Sequence, residues 1–374
     1  MSCFEIISND SFARTGLLNT AHGKVMTPFF MPVATKGAVK NINNFQLQEL
    51  GFDCIISNAF ISYLKPGLSV IDNAGGLHKF MSWDKSLFTD SGGFQLILDQ
   101  FIHNISNKGV TFKNPFDKSI ELVSPEKAVL IQNSLGSDVA MCLDHQPLFG
   151  KSRTDYLDSA IRTIEWAKRC KEAHYSNENK INKNQLLFSI AQGGIHKDIR
   201  QKCALALHKI GFDAVALGGF GIGEAQKDMY SIIRSVKKVL PENNFTYIMG
   251  IGSPLELINA VSNGADCFDS NYPMRMARHG KIFTSNGSID IGKTKFKSDF
   301  NPLDNNCNCF VCKNYSRSYL HHLFKTYEQN AHIFLTYHNL FFISGLFKNI
   351  RISINENNFN NFKKNFVLNY GGKK

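Results

Sequence analysis

Eight short apolar runs recur along the chain, at residues 28–35, 53–58, 87–90, 138–144, 187–192, 213–219, 246–250 and 266–269. Runs of this length, rich in Ile, Val, Phe and Leu and separated by stretches long enough for a helix, predict parallel strands buried on both faces. Eight such units predict an α/β fold of the (β/α)8 TIM-barrel class. In that fold the last residue of every strand reaches the carboxyl rim, where active sites lie. Most of the runs end in a residue able to do chemistry or in a pair of glycines, and three of the rim residues are aspartates: Asp90, Asp144 and Asp269.

A carboxylate at the end of an apolar strand is costly to bury unless it is hydrogen-bonded or used. One such aspartate is as readily a loop cap as a catalyst. Three together, with Gln192 before Gly193-Gly194 and with Gly218-Gly219 at another strand end, point to a site. Two carboxylates in one pocket can divide labour between nucleophile and proton carrier, as in retaining glycosyl chemistry. An Asp and a Gln on one wall suit a guanine-like face, the carboxylate accepting from N–H groups and the amide or a glycine N–H donating to the carbonyl oxygen. Phe94 and Met249 are placed to sandwich a planar base. The glycines of Asp90-Ser91-Gly92-Gly93 let the backbone approach a ligand closely.

At 374 residues the chain accommodates a barrel, expected over residues 1–300, and an appended segment over 301–374. Hydrophobic residues make up 43% and charged residues 20%, which excludes a disordered polymer. Residues 1–10 lack a secretory pattern, and the apolar stretch 335–347 is broken by His338, Asn339 and Ser344, so a cytosolic protein is expected. The net charge of +11 is uneven: residues 275–374 hold 15 Lys and Arg against 5 Asp and Glu, a net of +10. Such asymmetry turns the carboxyl quarter toward a polyanion, with a solvated basic tail as the plainer reading.

Six of the nine cysteines are scattered and read as buried core residues of a reducing compartment. The other three, Cys307, Cys309 and Cys312, leave one thiol over if paired as disulfides. With one imidazole they complete a tetrahedral Cys3His zinc site, for which His321, His322, His332 and His338 are candidates. Four protein ligands leave no open position, so this zinc is expected to be structural. From Ser316 onward, Tyr319, Leu320, Leu323, Phe324 and Tyr327 fall on one helical stripe, predicting a helix that packs the metal loop onto the barrel.

At these residues the chain resembles the tRNA-guanine transglycosylases, also called queuine tRNA-ribosyltransferases, of the bacterial type. The likeness runs from His22-Gly23-Lys24-Val25-Met26-Thr27-Pro28 and Phe30-Met31-Pro32-Val33 to His338. It includes Thr89-Asp90-Ser91-Gly92-Gly93-Phe94-Gln95, Leu135-Gly136-Ser137-Asp138, Gln192-Gly193-Gly194, Tyr247-Ile248-Met249-Gly250-Ile251-Gly252, Phe268-Asp269 and Cys-x-Cys-x2-Cys with a distant histidine.

The resemblance implies exchange of guanine at the wobble position of tRNAs with GUN anticodons (Asp, Asn, His, Tyr) for a 7-deazaguanine base, preQ1, in queuosine biosynthesis. It implies Asp269 as nucleophile and Asp90 as proton acceptor and donor. It assigns Asp90, Ser91, Gly92, Gly93, Phe94, Asp144, Gln192, Gly219, Phe220 and Met249 to the base. Gly250, Ile251, Gly252, Ser253, Pro254, Leu255 and Glu256, with Met274, Arg275, Met276, Ala277 and Arg278, would face the RNA. One structural Zn2+ on Cys307, Cys309, Cys312 and His338, and a homodimer, are further implications.

The chain departs from the family pattern at His145-Gln146, where Glu-Cys is usual beside the pocket for the base's 7-substituent, and at Phe94, where a Tyr is usual. Asn58-Ala59-Phe60-Ile61 and Ser270-Asn271 differ as well. Two alternatives follow: direct use of queuine, and a noncatalytic tRNA-binding subunit of the same fold. A third, an unrelated zinc-dependent hydrolase, predicts that chelation abolishes chemistry directly.

Overall fold

The computed structural model describes residues 3–93 and 102–371. Three strands, β1 (Phe4–Asp10), β2 (Ala13–Thr20) and β3 (Gly23–Thr27), form an antiparallel sheet. Next come β4 (Phe29–Met31), β5 (Val33–Ala34), β6 (Cys54–Asn58) and β7 (Ser86–Asp90). A second antiparallel sheet, β8 (Ile102–Ser106), β9 (Gly109–Lys113) and β10 (Ile120–Val123), intervenes. After it follow β11 (Val139–Met141), β12 (Leu186–Ala191), β13 (Ala214–Leu217), β14 (Tyr247–Ile248) and β15 (Cys267–Asp269).

The strands from β4 to β7 and β11 to β15 pair in parallel in the order β4-β15-β14-β13-β12-β11-β7-β6-β5. Each expected run contains or overlaps one of them, and the run 28–35 holds two. Pro32, which has no N–H, separates β4 from β5, yet its carbonyl still accepts from Ile56 N at 3.2 Å. The pair therefore occupies one barrel position, and pairing of β15 with β4 and of β5 with β6 closes an eight-position (β/α)8 ring. A hairpin, β16 (Lys281–Thr284) with β17 (Gly287–Asp290), follows the barrel.

Alternation along each strand sorts its side chains between two cores. Ile56, Phe88, Met141, Phe188, Ile190, Ala216, Tyr247 and Cys267 belong to one buried cluster, which extends to Phe4, Leu18 and Val25 of the first sheet. Ile55, Leu87, Ala140, Leu187, Val215, Ile248 and Phe268, one residue out of phase, join a second cluster with the surrounding helices. The first cluster thus fills the barrel, and the β1–β3 sheet plugs its amino-terminal mouth. Two-residue steps from Phe88, Ile190 and Cys267 lead to Asp90, Gln192 and Asp269.

The opposite mouth of each strand is braced by another set of aspartates. Asp138, Asp213 and Asp266 each accept a backbone N–H from the start of a neighbouring strand: Leu87, Leu187 and Thr246, at 2.8, 2.8 and 2.7 Å. Asp138 is fully buried and also accepts from His22 N at 3.0 Å and lies 2.9 Å from His22 Nδ1 and 3.2 Å from His78 Nε2. Burial pushes its pKa up, but contacts from His78 and His22 outweigh this and hold it below the usual carboxylate range. Its stabilisation is therefore full above the unfolded pKa and is lost as pH falls through the lower folded value. Asp138→Ala is expected to cost about 3–5 kcal/mol, read as a fall in the urea midpoint at neutral pH that narrows in acid.

Helix Gln329–Asn355 packs across the barrel wall, with Ser344 Oγ on Leu50 O at 2.6 Å, Arg351 Nη1 on Pro28 O at 2.8 Å and Asn355 Oδ1 on Thr15 Oγ1 at 2.7 Å. The stretch 335–347 lies within it, and among the described residues no helix is long and apolar enough to cross a membrane. The helix expected after Ser316 runs Arg317–Lys325, with Ser316 accepting from Tyr319 N. Leu320 and Leu323 are buried, but the stripe is narrower than expected: Tyr327 lies beyond the helix end at φ 60° and is 89% exposed.

Candidate active site and metal centre

Asp90 ends β7 inside the rim, directly opposite Asn58 in the parallel register with β6. Its carboxylate accepts from Asn58 Nδ2 at 3.0 Å, Ala59 N at 3.3 Å and Gly92 N at 3.2 Å. Burial, and then the charge of Asp269, push its pKa up to about 7 against those donors. Asp269 ends β15 and accepts from Tyr247 Oη at 2.6 Å and Gly250 N at 3.1 Å. Burial raises its pKa, and the Tyr247 and Gly250 donors oppose the rise. The two carboxylates so interact, one able to hold a proton near neutrality and the other held by two donors.

Gly92 adopts φ 73°, and a Cβ there would stand 2.2 Å from Phe60 Cβ, so only glycine fits this turn. Ser91 Oγ accepts from Gly93 N at 3.3 Å. Phe94 follows immediately but lies outside the described residues.

Asp144 departs from the simple strand count. β11 stops at Met141, and the chain leaves the ladder before the aspartate turns inward to accept from Gln192 Nε2 at 2.6 Å. Burial pushes its pKa up to about 6, while Gln192 and the charge of Arg200 pull it back. A Cβ on Gly218 would stand 2.7 Å from Gln192 Nε2, and one on Gly219, at φ 76°, would stand 3.0 Å from Gln192 Oε1. The glycine pair therefore admits the amide against the strand end. Met249 is half-buried beside this group, whereas the Phe220 ring turns to the Arg200 guanidinium, 4.8 Å away.

The unusual pair after Asp144 divides. Gln146 lines a small cavity with Gln192, Gly219, Phe220, Arg200 and Glu224. His145 faces away: its Nδ1 accepts from Arg162 Nη1 at 3.0 Å, and burial and then Arg162 lower its pKa to about 4, leaving it neutral. Asn58, Tyr247 and Arg200 were not anticipated as parts of the site. Asn58 and Tyr247 sit in recognised runs with the inward phase, a signal present in the alternation itself.

The segment after β14 begins with Gly250, which is exposed, and continues through buried Ile251, Gly252 and Pro254. Ser253 opens a helix whose capping carboxylate is Glu256, and Leu255 is half-buried. In helix Tyr272–Arg278, Met274 and Ala277 are buried, Met276 is half-buried, Arg275 is exposed, and Arg278 is half-buried. Arg275 therefore carries positive charge to the surface, whereas Arg278 keeps a buried Nη1 that has no partner among the described residues.

Two groups of potential metal ligands occur among the described residues. In the first, Cys307, Cys309 and Cys312 sulfurs lie 3.9, 3.5 and 3.3 Å from His338 Nδ1. His338 Nε2 donates to Phe283 O at 2.8 Å, which fixes the tautomer and leaves the Nδ1 lone pair aimed at the three sulfurs. Donation from Cys307 and then Cys312 pulls the Cys309 thiol down to about 3 and leaves Cys312 high, so ionising all three calls for a cation. This group can hold a metal ion. Among the described residues, His338, and none of His321, His322 and His332, is brought together with the three sulfurs. The second group, His22, His78 and Asp138, is the brace at the closed mouth, where backbone and imidazole donors already occupy both carboxylate oxygens.

Comparison with known proteins agrees with this arrangement. Residues 9–372 match the model of the family described as queuine tRNA-ribosyltransferase. A queuine tRNA-ribosyltransferase of Fusobacterium nucleatum subsp. nucleatum is 41% identical over 372 residues, covering 99% of this chain and 98% of the relative. One from Thermoanaerobacter sp. strain X514 is 42% identical, with coverage of 99% and 98%, and one from Francisella tularensis subsp. tularensis is 41% identical, with 98% of each covered. With a barrel rim carrying Asp90, Asp144, Gln192 and Asp269, a Cys3His group, and a family match along nearly its whole length, the chain belongs to the queuine tRNA-ribosyltransferase family.

Proposed function

We propose that this protein is a tRNA-guanine transglycosylase that exchanges guanine at the wobble position of GUN-anticodon tRNAs for preQ1. The observation that carries the reading is the pair of half-buried carboxylates, Asp90 and Asp269, with different hydrogen-bond surroundings beside the Asp144–Gln192 wall.

Asp269 attacks ribose C1′, the C1′–N9 bond breaks, and the departing guanine takes the Asp90 proton at N9. The incoming base then gives its N9 proton to Asp90, N9 attacks C1′, and the aspartyl ester bond breaks. No nucleoside triphosphate is needed, because one glycosidic bond replaces another. Asp144 accepts from the base's N–H edge. Gln192 spends one amide hydrogen on Asp144 and has a second for the base carbonyl, with the backbone N–H at Gly219 beside it. Ser91, Gly92, Gly93, Phe94, Phe220 and Met249 complete the base-binding set of this reading.

Arg275 and Arg278 neutralise anticodon-loop phosphates together with the segment from Gly250 to Glu256, giving salt-sensitive affinity, while unstacked loop bases remain readable. The same reading divides the chain into a catalytic barrel over 1–300 and a metal-binding, basic helical segment over 301–374. It makes the metal one structural zinc on Cys307, Cys309, Cys312 and His338 and places the protein in the cytoplasm. A homodimer is part of the proposal, supported by a partly exposed aromatic stack in which Tyr315 lies 4.6 Å from Phe334 and 5.4 Å from Tyr319.

The deciding experiment incubates folded, zinc-loaded protein with labelled guanine and a GUN-anticodon tRNA. Label entering the tRNA is expected, and its absence refutes the reading, including in favour of a noncatalytic subunit. Competition by preQ1 and queuine in the same assay decides the incoming base. The pH profile is a further check. Below the Asp144 value of about 6 the acceptor is lost, and above the Asp90 value of about 7 the proton for N9 is lost. The kcat/KM for tRNA, which covers the step in which guanine leaves, is therefore expected to be bell-shaped with its maximum between those values, and a profile flat from about pH 5 to 8 contradicts the roles.

A further inference from the structure

Arg200 is a buried group beside this site whose chemistry the exchange reaction leaves unused. It lies in helix Lys197–Ile210, is 0% exposed, and forms no ion pair with a carboxylate among the described residues. Its Nε donates to Gly194 O at 2.9 Å and its Nη1 to Ala191 O at 2.6 Å. Those two carbonyls bracket the Gln192-Gly193 pair. The remaining Nη2 has no partner among the described residues and stands 3.3 Å from where a Cβ on Gly219 would be. The Phe220 ring covers the guanidinium at 4.8 Å.

A buried cation without an anionic partner is expensive, and removing it would be favoured if it only filled space. The fork here is used on both sides of the Gln192-Gly193 pair, which a point charge on a flexible stem cannot do. Its charge faces Asp144, Glu224, the Cys203 thiol and the Tyr156 hydroxyl. Burial lowers Arg200 to about 10, so it stays cationic at neutral pH. Of these neighbours Asp144 accepts from the Gln192 side chain at 2.6 Å, and the Cys203 sulfur accepts from Gln192 N at 3.4 Å.

We propose that Arg200 is a positioning residue for base recognition: its fork fixes the Gln192 turn from behind, and its charge holds Asp144 in the acceptor form that meets the base. The inference rests on the transglycosylase reading and deepens it by naming the group that prepares the base-reading wall. Two effects separate. Geometry at Gln192 requires the fork, whereas the state of Asp144 requires only the positive charge, because burial drives that carboxyl up and Gln192 and Arg200 hold it down.

The test compares Arg200→Met and Arg200→Lys with the parent protein in the labelled-guanine assay, measuring KM for guanine, KM for tRNA and the acid limb of kcat/KM for the base. Arg200→Met is expected to raise guanine KM at least about tenfold, to leave tRNA KM unchanged, and to move the acid limb toward higher pH by about one unit. Arg200→Lys keeps the charge and loses the fork, so it is expected to raise guanine KM with the acid limb where the parent has it. An unmoved acid limb in a folded Arg200→Met protein overturns the proposal, as does a loss confined to kcat. Where Arg200→Met does not fold, Arg200→Lys decides alone, and an unchanged guanine KM overturns the proposal. Failure of the parent protein to incorporate guanine is a different result, since it strikes the transglycosylase reading.

Discussion

Asp269→Ala is expected to lower base exchange by about four orders of magnitude or more while leaving tRNA affinity within a few-fold of the parent value. The size follows from the role: without a carboxylate at the end of β15 the ribose has no covalent acceptor, and the two-step route collapses into one unassisted displacement. The surroundings of Asp269 sharpen the expectation. Tyr247 Oη and Gly250 N both aim at one carboxylate oxygen, so they orient the group and offset the cost of burying its charge. Asp269→Asn keeps the volume but not the nucleophile, and it is expected to be as inactive as the alanine variant. Trapping of a covalent protein–tRNA adduct on denaturing gels supplies the readout, with the adduct formed by the parent and absent from both variants. Adduct formation by Asp269→Ala would assign the nucleophile elsewhere.

The second large effect concerns the metal group. Cys312→Ser, or prolonged chelation of the parent, is expected to lower the thermal midpoint by more than about 10 °C and to expose helix Gln329–Asn355 to amide hydrogen exchange, since structural zinc sites carry about 10 kcal/mol of apparent binding energy. His338 lies in the middle of that helix, is 0% exposed, and spends its other nitrogen on the Phe283 carbonyl of β16. Removing the cation leaves three crowded sulfurs and an imidazole lone pair facing one another in a buried pocket. Activity is expected to fall in step with unfolding and to return with refolding in zinc. Loss of exchange in a protein that still melts at the parent temperature would instead assign the metal to chemistry.

Much of this architecture is written into the alternation of the chain. The inward phase of Phe88, Ile190 and Cys267 carries Asp90, Gln192 and Asp269 to one rim, and the same phase was available for Asn58 and Tyr247. Asp144 is legible only as a run end, because its strand stops three residues earlier and the chain then abandons the two-residue period. Arg200 was illegible for a different reason: a charged residue four positions into an amphipathic helix reads as solvated, and only the tertiary position of the Gln192 turn makes it buried. Spacing left four histidines open and the resemblance named His338, whose Nδ1 lies with the three sulfurs while its Nε2 meets the Phe283 carbonyl, a contact across 55 residues. The Tyr319–Tyr327 stripe failed at its end because helical spacing gives no sign that the helix stops at Lys325.

The long helix that carries His338 also sets an order of events during synthesis. Thr15, at the plugged mouth, donates to Asn355, Pro28, just before the first barrel strand, accepts from Arg351, and Asp10 accepts from Phe359 N across 349 residues. The first strands leave the ribosome long before their partners exist. Until the last quarter of the chain emerges, the wall of the ring that this helix covers stays open and apolar. Such distant pairing slows folding and prolongs exposure of aggregation-prone surface. On the zinc reading proposed above, the supply of metal to the nascent chain would bear not only on how stable the finished barrel is, but on how much of it is ever completed.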